Sequence, residues 1–139
     1  MVKFVISGEP VGKGRPRFVK KTGRTYTPDK TVFYENLVRQ AYRSKYGTDR
    51  FLINQAVSVE IVAYFAMPKS ASKAKRERML NDSSCESYVT KKPDADNIAK
   101  IICDSLNVVA WHDDSQVADC RVQKRWAEQG RIEVLVRQL

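Results

Sequence analysis

Apolar positions along the chain switch between a period of two and a period near 3.6, and the switches mark its elements. Residues 3–7 alternate apolar side chains with others and predict a short strand. Residues 8–25 hold four Gly and two Pro with no acid beyond Glu9, the composition of a basic loop. Thr27 then offers a hydroxyl N-cap and Pro28 a first helical residue, and Phe33, Leu37, Val38, Ala41 and Tyr42 recur at helical spacing until the helix fades near Gly47. Val57, Val59, Ile61, Ala63 and Phe65 occupy alternate positions, and Val62, Tyr64 and Ala66 between them are only weakly polar. This predicts a mostly buried central strand ended by Pro68. Residues 72–80 read as a short, highly charged helix, 81–84 as a polar break, and 88–92 as extended chain because Lys92 precedes Pro93.

The clearest amphipathic helix covers 97–107, with Ile98, Ile101, Ile102, Ser105 and Leu106 on one side and Lys100, Asp104 and Asn107 on the other. Asp96 is placed to cap it. In 117–126, Ala118, Cys120 and Val122 alternate with Asp119, Arg121 and Gln123. Glu128-Gln129-Gly130 then turns into 131–136, which reads as a β-hairpin closing the chain. No repeat, low-complexity tract or linker divides the 139 residues. The expectation is a single small α+β domain spanning 1–139, a mixed β-sheet with a C-terminal hairpin and two main helices packed on it.

Charge adds a partner. With 25 Lys plus Arg against 16 Asp plus Glu, the formal charge of +9 favours a polyanion, most commonly nucleic acid. Lys13, Arg15, Arg17, Lys20, Lys21 and Arg24 lie in one acid-free stretch, with Phe18 and Tyr26 within or beside it; forked guanidinium groups suit phosphates and aromatic rings suit unpaired bases. A second basic cluster, Lys69, Lys73, Lys75, Arg76 and Arg78, reads as a solvated helical face. Cys85, Cys103 and Cys120 are odd in number and lack CxxC spacing, which argues against a disulfide framework and a zinc site. No apolar run approaches the roughly 18 residues of a membrane span, so a cytoplasmic protein without membrane contact is expected. Gly8, Gly12, Lys13 and Gly14 superficially resemble a phosphate loop. The glycine spacing is one residue short, and Gly14 stands where a hydroxyl should hold magnesium, so no nucleotide cofactor is expected.

In this basic chain, Asp94 and Asp96 sit one residue apart. Side chains at i and i+2 face the same way in extended chain and diverge on a helix, so the two carboxylates converge only if the helix begins after them. Converging carboxylates are relieved best by a divalent cation, and oxygen donors select Mg²⁺ or Mn²⁺. Lys100, one helical turn on, is suited to steady charge on a phosphate oxygen, and Asp113-Asp114 offers a further ligand from a separate element. The bland alternative is an N-cap with an i,i+4 pair, in a non-catalytic basic DNA-binding protein. His112 reads as a turn histidine, and Trp111 and Trp126 as core or dimer-interface residues.

Asp94-x-Asp96-Asn97, Lys100, Asp113-Asp114-x-Gln116-Val117 and Lys124 together resemble the signature of the RusA family of Holliday junction resolvases, small bacterial and phage-borne enzymes. The likeness is strong over 93–124 and looser elsewhere. It implies a RusA-like fold and a homodimeric, Mg²⁺-dependent endodeoxyribonuclease of DNA recombination and repair, prophage copies included, that makes paired symmetric nicks in four-way junction DNA. By the same resemblance Asp94, Asp96 and Asp114 match the catalytic, metal-binding aspartates, Lys100 the essential lysine, and Asp113 a neighbouring acid. The charged stretch 71–87 and the elaborated N-terminal loop depart from the shortest members, which leaves open a broader branched-DNA nuclease.

Overall fold

The computed structural model describes residues 1–139. In chain order the elements are β1 (Val2–Ser7), β2 (Arg17–Val19), β3 (Arg24–Tyr26), α1 (Asp29–Tyr46), β4 (Val57–Ala66), α2 (Lys73–Leu80), α3 (Ala95–Ser105), β5 (Val117–Ala127) and β6 (Arg131–Gln138). Short 3-10 turns occupy Cys85–Ser87 and Asp114–Gln116. The main sheet runs β1-β6-β4-β5, with β4 parallel to β5 and antiparallel to β6, so the domain is α+β with a mixed sheet.

The C-terminal pair departs from expectation. β5 and β6 do not pair with each other; β4 lies between them, and Tyr64 faces Arg125 on one side and Arg131 on the other. Period-two alternation around a short turn looks identical whether the two arms bond each other or both bond a third strand. Where the arms spread at the end of β4, the backbone N–H of Ala66 donates to Glu9 Oε1 at 2.9 Å and that of Met67 to the Ala127 carbonyl at 2.9 Å. Gly130 leaves room for this: a Cβ there would lie 2.3 Å from Glu9 Oε1.

Val57, Val59, Ile61, Ala63 and Phe65 of β4 are buried, as their alternation predicts, with Phe4 and Ile6 of β1 and Ile132, Val134 and Val136 of β6. They meet Tyr34, Val38 and Tyr42 of α1 and Ile98, Ile101, Ile102 and Leu106 of α3 in one cluster that includes Trp111. The other face of β4, from Glu60 to Ala66, is only half covered.

The α1 stripe keeps Leu37, Val38, Ala41 and Tyr42 against the core, as expected, but departs from expectation at Phe33. It buries Thr31, Tyr34, Glu35, Val38 and Tyr42, while Phe33 is 67% exposed. The buried acid explains the difference, since Glu35 is tied down by Lys13 and Arg39 and apolar spacing does not reveal that. Helix α1 begins at Asp29, one residue later than expected, and the Pro28 carbonyl rather than the Thr27 hydroxyl closes its first turn. Helix α2 forms where expected, with the Ser72 hydroxyl accepting from Lys75 N–H. The basic loop contains an element that its composition does not announce, the small antiparallel β2–β3 hairpin, in which Arg17 faces Tyr26 and Phe18 faces Thr25. No helix is long and apolar enough to cross a membrane.

Candidate functional site

Helix α3 begins at Ala95, so Asp94 rather than Asp96 takes the N-cap position, and Asp96 lies inside the first turn. Asp94 has extended backbone angles, φ −69° and ψ 153°, and its carboxylate makes no capping bond. Both acids are exposed. Two flanking segments fix this end of the helix. On one side Lys13 N–H donates to the Asn97 carbonyl at 3.1 Å, and Gly12 packs so closely that a Cβ would lie 2.8 Å from Pro93 Cβ. On the other, Val89 N–H donates to the Lys124 carbonyl at 3.0 Å, and the Lys124 ammonium donates to the Lys91 carbonyl. The Lys91 ammonium lies 5.4 Å from the Trp126 ring centre. A cleft of about 650 Å³ opens beside Asp94 and Asn97, with Arg15, Arg17, Lys30 and Lys92 in its walls. Anionic groups are favoured at a helix N-terminus, and these cations deepen that preference.

Asp96, Lys100 and Asp104 follow one another at four-residue spacing down α3. Lys100 Nζ lies 3.6 Å from Asp104 Oδ2, and the same oxygen lies 3.4 Å from Lys13 Nζ. Lys13 also reaches Glu35 at 3.3 Å, Arg39 braces Glu35 at 3.6 Å, and Arg39 Nε donates to the Ser105 carbonyl at 3.1 Å. Asp114 approaches the same helix end, within side-chain hydrogen-bonding reach of Asp104 and Asn107. Partial burial, then the adjoining Asp104 carboxyl, raises the Asp114 pKa above the ordinary carboxylate range. Asn107 is oriented by the buried Trp111, whose Nε1 donates to Asn107 Oδ1 at 2.9 Å. The neighbouring Cys103 thiol, able to donate to the Cys120 sulfur, lowers the Cys120 pKa to about 7.

The three aspartates therefore do not meet in one pocket. Asp94 and Asp96 stand at the N-terminal end of α3 and Asp114 joins Asp104 at the other, and Asp96 and Asp104 are separated by about 12 Å of helical rise. No three His, Cys, Asp or Glu side chains converge closely enough to hold an ion. Starting the helix two residues early draws Asp96 into its first turn, so Asp94 alone keeps an extended backbone and the two acids flank the first helical residue, Ala95. Oxygen donors still fit a hard ion, because Mg²⁺ is commonly held by one or two carboxylates together with water and substrate phosphate.

Other expected site residues have definite places. Arg15, Arg17, Lys20, Lys21 and Arg24 are exposed on the loop and the β2–β3 hairpin, beside exposed Phe18 and Tyr26. Lys13 is turned inward and paired with Glu35 and Asp104, whereas the Lys124 ammonium donates to the Lys91 carbonyl at the surface. Asp113 caps the 3-10 turn: the Ser115 hydroxyl and then the Ser115 N–H donate to its carboxylate and lower its pKa, while Gln116 Oε1 accepts from the Asp113 backbone N–H. His112 is exposed, and its N–H also donates to Gln116 Oε1. In the second basic cluster Arg76 binds the carbonyls of Ala71 and Pro68 and Arg78 pairs with Glu86, leaving only the lysines free. Asp104 and Glu35 belong to this network, and sequence reasoning assigns neither to the site. The signal for Asp104 is its i+4 spacing from Lys100, whereas Glu35 carries none.

The profile of the family described as Endodeoxyribonuclease RusA matches residues 7–137. The chain is 34% identical over 140 residues to the "Uncharacterized protein YqaN" of Bacillus subtilis (strain 168), covering 99% of this chain and 96% of that protein. With the aspartates, the lysine and the basic cleft in the positions described, this near full-length match shows that the chain belongs to the RusA family of endodeoxyribonucleases.

Proposed function

We propose that this protein is a Mg²⁺-dependent endonuclease that resolves four-way DNA junctions by paired nicks, acting as a homodimer in cytoplasmic recombination and repair. The observation that carries this reading is the Asp94 carboxylate, unspent on capping and facing a cationic cleft at the N-terminus of α3. A protein that only bound DNA would gain nothing from an uncompensated carboxylate beside a phosphate path.

Asp94 and Asp96 are the residues that would hold Mg²⁺, or Mn²⁺ in its place, and the ion would supply charge neutralisation and a more acidic water. Arg15 and Arg17 line the cleft where a phosphate backbone would pass and fork onto its oxygens. Lys100, one turn along the helix, brings an ammonium to charge developing on the phosphoryl group. Asp114 acts from the far side of Lys100 as part of the carboxylate pair that faces it. A junction presents two equivalent strands, and a two-fold dimer presents two equivalent sites.

The test is nicking of a synthetic four-way junction with and without Mg²⁺. Asp94→Asn and Asp114→Asn should each abolish cleavage while retaining binding; undiminished cutting by either variant removes that residue from the site. Equal cutting of junction and fork with linear duplex spared, all at one salt concentration, would replace junction resolution with a broader branched-DNA activity, since non-specific affinity changes steeply with salt.

A further inference from the structure

Lys100 has two aspartates at helical reach, Asp96 four residues before it and Asp104 four residues after, and it pairs with Asp104. The isolated-helix preference runs the other way, because an acid N-terminal to a lysine at i,i+4 is the better arrangement and also suits the helix dipole. Tertiary structure reverses the choice. Asp104 Oδ2 is already held by Lys13, which is held by Glu35, which is held by Arg39. The side chains of this relay run from 10% exposed at Glu35 through 19% at Lys13 and 23% at Asp104 to 60% at Lys100. A fixed, half-buried carboxylate therefore captures a mobile, exposed ammonium.

We infer that Asp104 is a positioning residue that parks Lys100 away from Asp96 and so keeps the Asp96 carboxylate open for a divalent cation. This rests on the reading that Asp94 and Asp96 hold that ion. Were Lys100 to swing back one turn, its charge would occupy the ground the ion needs, and the two cations would compete for one carboxylate. Parked on Asp104, the ammonium is still close enough to move onto a phosphate once the ion and DNA are in place.

The probe is Mn²⁺ binding to the full-length protein without DNA, followed by its paramagnetic signal. Asp104→Asn should weaken Mn²⁺ binding by about two- to fivefold, the range that competition from one exposed ion pair can produce. Asp104→Glu should largely restore it, and adding Lys100→Met to Asp104→Asn should also restore it, because the competing ammonium is then gone. A general loss of packing would give no such rescue. Lys100→Met alone keeps the inference testable should Asp104→Asn fold poorly, because Lys100 is exposed. Its Mn²⁺ affinity should rise by less than about twofold, the effect of removing one screened charge a helical turn away, and a rise as large as the Asp104→Asn loss would show that Lys100 already sat on Asp96 and overturn the inference. Unchanged affinity in Asp104→Asn overturns it as well. A protein that shows this coupling yet never nicks a junction would defeat the proposed function and leave the positioning role standing. Junction cleavage without measurable coupling would do the reverse.

Discussion

The Asp114 carboxyl is partly buried against Asp104, and its raised pKa means that the folded state binds its proton more tightly than the unfolded chain does. The penalty for ionising it therefore grows as pH rises from the ordinary 3.8 and vanishes as pH falls back through that range. Asp114→Asn should melt higher than the wild type at pH 7, and thermal scans should show the two curves converging toward pH 4. A lower melting temperature at neutral pH would mean that Asp114 is a stabilising ion-pair member instead. Backbone strain of a different kind sits at Val108. Val108 has φ +66° and is exposed, in a region that costs an L-residue about 1–2 kcal/mol. Val108→Gly should raise stability by about 1 kcal/mol in denaturant titrations, the relief of strain exceeding the added chain entropy.

At the scale of elements, the β2–β3 hairpin has little to do with holding the fold together. Its six strand residues are all exposed, and it forms a separate two-stranded sheet. Its charges are thus free to act on a partner. Replacing Arg17, Lys20, Lys21 and Arg24 by Ala should leave the melting temperature within a few degrees. The same change should flatten the salt dependence of DNA binding, by about 0.9 in log K per log salt for each phosphate that the hairpin no longer neutralises. An unchanged slope would take the hairpin off the DNA path. The hairpin is hidden in the sequence because Gly23 and the basic residues mark a loop, and three-residue strands are too short to show alternation. Helix α3 is legible as an element, through Ile98, Ile101, Ile102 and Leu106, but its start is not. Asp94 and Asp96 are both good cap residues, and only packing against Gly12 and Lys13 shows which one is used.

For the whole molecule, the opened pair β5 and β6 is the decisive feature. Inserting β4 between them places the chain's most apolar strand at the sheet centre, and the route from β4 to β5 must then carry α2 and α3 across before β5 returns parallel. That crossover is what sets α3 beside β5 and brings Asp114 to Asp104. The end of the sheet depends on Glu9 reaching Ala66 through the space Gly130 leaves. Gly130→Val should therefore destabilise the whole domain by about 1–3 kcal/mol in a single cooperative transition. A loss confined to local proteolysis at the turn would mean that this end frays independently.

The sequence by itself determined the α+β class, the inward row of β4, the apolar face of α3 and the cationic surface, because each is written in local spacing and charge. Tertiary structure decided the rest: which strands are neighbours, that Glu35 and Lys13 turn inward, and that Lys100 leans toward Asp104 rather than Asp96. Those outcomes depend on partners distant in the chain, Lys13 with Asp104 and Glu9 with Gly130 among them, and local spacing cannot specify a partner it does not contain.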